Sequence, residues 1–207
     1  MKSLKEYIYE VSLTEGSLTE GLLDRVKNKE VNHEVLVKEF LETNYEIDGS
    51  YTIKDTNKGF VVDINGDIDV KNENIVTLTN EFFKFGVVSG SFDCRGCKSL
   101  KTLKGAPQKV SNDFNCSGCD SLKTLIGAPE KVGWDFNCFS CKSLTTLEGA
   151  PEKVDGDFYC SHCYKLKSLK GAPKEVGGGF YCRDSEVKFS RDDVKKYTAV
   201  TGVIILS

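Results

Sequence analysis

Nine cysteines stand out in a chain of 207 residues. Eight of them form four Cys-x-x-Cys pairs, Cys94/Cys97, Cys116/Cys119, Cys138/Cys141 and Cys160/Cys163, and Cys182 follows alone. Two such pairs with 18 residues between them have the spacing of a zinc ribbon, in which four thiolates close a tetrahedral site. His162, one of only two histidines, directly precedes Cys163, and a thiol beside an imidazole is a candidate nucleophile and base. Oxidised in pairs, the same sulfurs would be cross-links. Zinc binding, nucleophilic catalysis and disulfide formation are therefore the chemistries this pattern offers.

The spacing has a competing cause, because it belongs to a repeat. Cys94, Cys116, Cys138, Cys160 and Cys182 are each 22 residues apart, and Cys97, Cys119, Cys141 and Cys163 follow the same period. Residues that bind no metal share it: Leu100, Leu122, Leu144 and Leu166; Leu103, Leu125, Leu147 and Leu169; Phe92, Phe114, Phe136, Phe158 and Phe180; Val88, Val110, Val132, Val154 and Val176. All four prolines close a Gly-Ala-Pro triplet in one phase. A strict period of this length is the signature of a solenoid. Any residue pair inside such a unit recurs with a fixed gap, and a buried free cysteine behaves as a small hydrophobe. Packed thiols are thus the expected reading, with no metal and no cofactor. A zinc-stabilised module is the alternative, with Cys94, Cys97, Cys116, Cys119, Cys138, Cys141, Cys160 and Cys163 as its ligands. Neighbours in an extended segment point apart, so Cys163 inside would leave His162 outside and no catalytic residue is assigned. Gly177-Gly178-Gly179 reads as a turn between Val176 and Phe180, not as a phosphate loop.

The unit, C-x-x-C-x-S-L-x-T-L-x-G-A-P-x-x-V-x-x-x-F-x, is too short for a helix pair. It has room for about one short strand and tight turns. Alternation in Asp113-Phe114-Asn115-Cys116 marks the strand, and Gly-Ala-Pro breaks the chain because proline cannot donate to a ladder. The expected fold is α+β, mainly β: a leucine-rich-repeat-type solenoid of 22-residue coils with a parallel strand ladder. Repeats span 92–184. Residues 48–91 form a β-rich N-terminal cap, in which Val62, Ile64, Ile68 and Val70 flank a turn at Asn65-Gly66. Ile75 and Leu78 echo the leucine pair, and Phe82, Phe83 and Phe85 close the first coil. Residues 185–207 form the other cap. There Ser190-Arg191-Asp192-Asp193 starts a helix, Val194 and Tyr197 face the solenoid end, and Val203-Ile204-Ile205-Leu206 is a last strand. Residues 1–47 are a helical segment. Leu4, Ile8 and Val11 have helical spacing, the tandem Ser-Leu-Thr-Glu-Gly at 12–21 interrupts it, residues 1–25 read as a flexible tether, and a second helix covers roughly 31–43.

Apolar content is 39%, charged content 29% and the net charge −3. These values suit a soluble domain and argue against a general nucleic-acid binder, which carries a basic stripe. No apolar run approaches the ~20 residues a membrane span needs, and the opening residues lack the apolar stretch of a signal peptide. The expected location is a reducing compartment.

The repeated Ser-Leu-x-Thr-Leu-x-Gly-Ala-Pro-x-x-Val with Phe-x-Cys resembles a leucine-rich-repeat family of tailed phages and bacteria. The opening Met-Lys-Ser-Leu-Lys-Glu-Tyr-Ile resembles proteins of crAss-like phages of gut Bacteroidetes. Lys84-Phe85-Gly86-Val87-Val88-Ser89-Gly90 is similar to that family's entry into its first repeat, and Asp192-Asp193-Val194 to its exit. The resemblance implies a non-enzymatic protein-binding or structural module, a phage accessory or virion protein acting in the host cytoplasm or the virion. Its partner would be another protein, host or virion, with neither nucleic acid nor membrane involved. Where many leucine-rich repeats hold asparagine, this chain has Cys97, Cys119, Cys141 and Cys163. The candidate contact surface follows from strand alternation, which turns Asp93, Asn115, Asn137, Tyr159 and Tyr181 outward, together with Trp134, Phe139 and Tyr164 at variable positions nearby. Exposed aromatics that break a repeat consensus mark a contact patch.

Overall fold

Each 22-residue unit folds into one coil because it alternates residues that must be buried with residues that force the chain to turn. The computed structural model describes residues 33–71, 73–80 and 82–206. Within a coil, valine and phenylalanine mark two short strands separated by a three-residue corner, as in Lys109–Val110 and Phe114–Asn115. The unit thus carries two strands, not the single one expected. The valine strand was hidden because two residues are too few to show alternation.

The elements, in chain order, are α1 (His33–Asn44), β1 (Tyr45–Thr56), β2 (Gly59–Val70), β3 (Phe83–Val88), β4 (Phe92–Asp93), β5 (Lys109–Val110), β6 (Phe114–Asn115), β7 (Lys131–Val132), β8 (Phe136–Asn137), β9 (Lys153–Val154), β10 (Phe158–Tyr159), β11 (Glu175–Val176), β12 (Phe180–Tyr181), α2 (Arg191–Lys195), β13 (Ala199–Val200) and β14 (Ile204–Ile205). Two parallel ladders grow from β2. The valine ladder runs β2-β3-β5-β7-β9-β11-β13 and the phenylalanine ladder β2-β4-β6-β8-β10-β12-β14. The protein is therefore a mainly β, parallel-strand solenoid of 22-residue coils, with seven rungs in each ladder.

The long strand β2 is itself a coil. Its first part pairs with β3 at Ile64↔Val88 and its second with β4 at Ile68↔Phe92. Asn65-Gly66 is therefore the corner between ladders and not a hairpin turn. The hairpin tip lies between Thr56 and Gly59, where β1 turns into β2. β1 runs antiparallel along all of β2 and closes the N-terminal end, which a parallel ladder would leave as an open edge. Gly49 and Gly66 face each other across this pair, each at positive φ, and a Cβ on either would sit about 2 Å from the partner strand's backbone oxygen.

The helix expected near 31–43 is α1. Its buried Leu36, Val37 and Leu41 lie on one side, and Phe40 meets Phe82 with ring centroids 5.1 Å apart. It ends at Asn44, so the first strand begins inside the segment read as helical. The expected helix near Leu4 and the joint at 12–21 lie outside the described residues. At the other end, Ser190 caps α2: its hydroxyl accepts from Asp193 N while the Asp193 carboxylate accepts from Ser190 N. Val194 is buried as expected, but Tyr197 is exposed, its ring beneath Lys196 Nζ at 5.4 Å. Tyr197 lies three residues past Val194, after the short helix has ended, so it does not share the buried face.

The core is a stack of identical layers. Phe92, Phe114, Phe136, Phe158 and Phe180 are 0% exposed, and neighbouring rings lie 5.3–5.4 Å apart and nearly parallel. The leucine pairs close each layer through successive three-residue turns, such as Leu100 N to Cys97 O and Ala106 N to Leu103 O. Gly105, Gly127, Gly149 and Gly171 end this segment at positive φ, pressed onto the coil beneath. The prolines that follow are buried. A residue without an N–H is tolerated there because no donor is left unpaired.

Candidate functional site

All nine cysteines are buried and free. Cys119, Cys141 and Cys163 each donate the thiol hydrogen to a carbonyl one coil back, on Cys94, Cys116 and Cys138, at 3.2 Å. A small, mostly apolar donor here satisfies a buried carbonyl. Cys138 Sγ bonds forward, to Tyr159 O at 3.2 Å. Burial pushes the Cys138 and Cys160 thiols well up from the ordinary range and Cys97 to about 12, while thiol contacts from Cys119 and Cys141 raise Cys94 and Cys116. A thiol must lose its proton to attack or to bind metal, so these surroundings oppose both. Among the described residues, no group of three or more His, Cys, Asp or Glu side chains is placed to hold a metal ion.

A direct test follows. Cys138→Ala should lower stability by about 1–2 kcal/mol, the scale of a lost buried group and its hydrogen bond, and a strong chelator should leave the melting curve unchanged. A thiol reagent should count nine sulfurs once the chain is denatured and react slowly before that. Near-stoichiometric zinc, or a count clearly below nine, would show that the sulfurs do more than pack.

His162 and Cys163 do not meet as a catalytic pair. Cys163 points inward to its carbonyl, while His162 lies outside. Its Nδ1 is 3.0 Å from Asp184 Oδ2 and 3.3 Å from the Tyr164 hydroxyl, and its ring meets Phe139 edge-on at 4.7 Å. His162 occupies the second column of positive φ, which runs through Gly96, Gly118, Ser140, His162 and Asp184. The first two coils fill it with glycine and the later ones with side chains. An L-residue there carries backbone strain, and in return His162 and Asp184 reach the surface cluster.

The other outward positions divide into two kinds. Asp93, Asn115 and Asn137 are half-buried, and each accepts the backbone N–H two residues on, from Arg95, Ser117 and Phe139 at 2.8, 3.0 and 2.9 Å. They shape Asx turns and so hold the chain locally instead of standing free for a partner. Tyr159 and Tyr181 replace them in the last coils and stack on each other at 4.8 Å. The Tyr159 hydroxyl donates to Asp157 Oδ2 at 2.7 Å, which holds the phenol up from its usual range. Trp134, Tyr164 and Phe139 stand out at 60%, 54% and 40% exposure, far above the buried rings of the core. Phe139, His162 and Tyr164 form one cluster on the turn after the phenylalanine strands. Trp134 occupies the corner before them, and no ring contact joins it to that cluster among the described residues.

The sequence reading missed a carboxylate ladder. Asp113, Asp135 and Asp157 occupy one column, where Asp135 N donates to Asp113 Oδ1 at 2.8 Å and Asp157 N to Asp135 Oδ1 at 2.7 Å. The signal was present as Asp-Phe recurring at the repeat period in three units, and it was absorbed into the strand pattern. Among the described residues no helix is long and apolar enough to cross a membrane.

These features define a class, a cysteine-lined β-solenoid with consensus-breaking aromatics on its later coils. Comparison with family models, with curated proteins and with solved structures found no match.

Proposed function

We propose that this chain is a non-enzymatic protein-binding module whose recognition surface lies on the third to fifth cysteine-bearing coils. One observation carries the reading. The inward residues are the same in every coil, whereas Trp134, Phe139 and Tyr164 replace small or polar residues on the outside and leave large rings in solvent. Their inward neighbours already fill the core, and aromatic anchors dominate interface energies. The solenoid is a rigid frame for such anchors, because each coil is fixed by both neighbours.

The Ser-Leu-x-Thr-Leu resemblance supports a finer version, in which the coils are of leucine-rich-repeat type and the protein is a phage accessory or virion component, with a host or virion protein as partner. The site of action would then be the host cytoplasm or the virion.

Immobilised protein, incubated with host lysate and separately with purified virions, tests the reading. Single changes Trp134→Ala, Phe139→Ala and Tyr164→Ala should each leave the circular dichroism melt in place. At least one should weaken capture by ~30-fold, equivalent to ~2 kcal/mol. Capture of the same partner by all three variants at parental strength would move the interface elsewhere.

A further inference from the structure

Two columns of opposite charge run along the solenoid. On the valine ladder, Lys109, Lys131 and Lys153 occupy consecutive rungs, paired in register, and all three are exposed. At the end of the corner that leads into the phenylalanine ladder, the half-buried Asp113, Asp135 and Asp157 occupy the same three coils, each four residues after its lysine. Neighbouring rungs lie ~4.8 Å apart, so like charges face one another along each ladder, an arrangement that weakens a sheet. Burial first, and then the charges of Asp157 and Asp113, hold the Asp135 carboxyl above its ordinary range.

Each carboxylate accepts a backbone N–H from the next coil, and Asp157 also accepts from the Tyr159 hydroxyl, but these bonds bring no opposite charge. Among the described residues, none of the three aspartates and neither Lys109 nor Lys131 makes an ion pair. Lys153 alone reaches Asp155 and Glu175, at 3.1 and 3.7 Å. Glu152, which precedes it, is engaged by Lys174 at 2.8 Å.

We propose that copies of this chain associate side by side, the lysine ladder of one against the aspartate ladder of the next. The occupant is a second copy because both ladders take their period from the same coil rise. Three pairs of opposite charge therefore align in a single register, which an unrelated surface would have to reproduce. The contact is heterologous: each added copy leaves one lysine ladder and one aspartate ladder free, so the assembly grows. Exposed charge pairs are individually weak and screened by salt, so association depends on concentration and ionic strength.

Sedimentation velocity on the full chain tests this. The weight-average sedimentation coefficient should rise with concentration in about 0.01 M salt, where charges act over ~30 Å, and fall to the monomer value in about 1 M salt, where they act over ~3 Å. The triple variant K109Q/K131Q/K153Q should stay monomeric at low salt. So should D113N/D135N/D157N, whose amide oxygens still accept the backbone N–H groups. Mixed in equal amounts, the two variants should form a dimer and nothing larger, because one complementary pair of faces survives. Thermal melts of each variant establish that it is folded. A parent chain that is monomeric at low salt at every concentration would overturn the proposal, as would variants that associate like the parent, or a mixture that stays monomeric.

Discussion

Phe136→Ala should cost about 3–5 kcal/mol, the range for emptying a fully buried aromatic site. Phe136 is 0% exposed and lies between Phe114 and Phe158, with ring centroids 5.3 and 5.4 Å away. Its removal opens a gap in the middle of a column in which each ring stacks on the coil above and the coil below. Stability in such an array is a sum of coil and neighbour-interface contributions. Deleting the central ring therefore weakens two interfaces at once and uncouples the coils on either side. The chain contains one tryptophan, Trp134, two residues before Phe136, and its fluorescence reports on this coil. In urea the variant should show an earlier tryptophan transition than the far-ultraviolet signal, where the parent shows one coincident transition. A loss below about 1 kcal/mol would mean that the rings are not the main tie between coils.

Gly127→Ala should be comparably damaging, although it adds a single methyl group. Gly127 has φ +98°, and a Cβ there would lie 2.2 Å from Lys104 N and 2.4 Å from Leu103 C. Both are backbone atoms of the coil beneath, so relief requires lifting one coil off another. The left-handed conformation alone costs roughly 1–2 kcal/mol for an L-residue, and overpacking against backbone adds about 1–3 kcal/mol. Gly96→Ala is the control. Gly96 also has positive φ, at +73°, but a Cβ there meets nothing within 4 Å. Only the conformational part should remain, about 1 kcal/mol. Melting temperatures of the two variants side by side separate close approach from backbone strain. Equal losses would show that the coils are not as tightly stacked as their backbone contacts imply.

The two glycine columns also show how far sequence could lead. Gly105, Gly127, Gly149 and Gly171 are invariant within the chain, whereas the other column reads Gly96, Gly118, Ser140, His162 and Asp184. Constancy in one and substitution in the other follow from space: the first column has none, and the second demands only a positive φ. The same logic made the inward set readable. Phenylalanine, leucine, valine and cysteine recur at a fixed phase because each coil presents the same cavity to its neighbours, and all of those in the five described units are buried. The capping box at Ser190 was likewise legible, since it depends on residues three apart in the chain.

The amino-acid sequence by itself determined the repeat, its length and the inward side chains, because all of these rest on local spacing and on burial that every coil shares. Tertiary structure alone decided what depends on one coil lying over another. It revealed a second strand in each unit, since two residues form a strand only when a neighbouring coil pairs with them. It made Asn65-Gly66 a corner, because β2 pairs with two different strands on either side of it. It committed Asp93, Asn115 and Asn137 to backbone N–H groups, while bringing His162, Asp184, Phe139 and Tyr164 together from three successive coils. Residues 22 or more apart in the chain become neighbours through the coil rise, and neither propensity nor alternation along the chain encodes that contact.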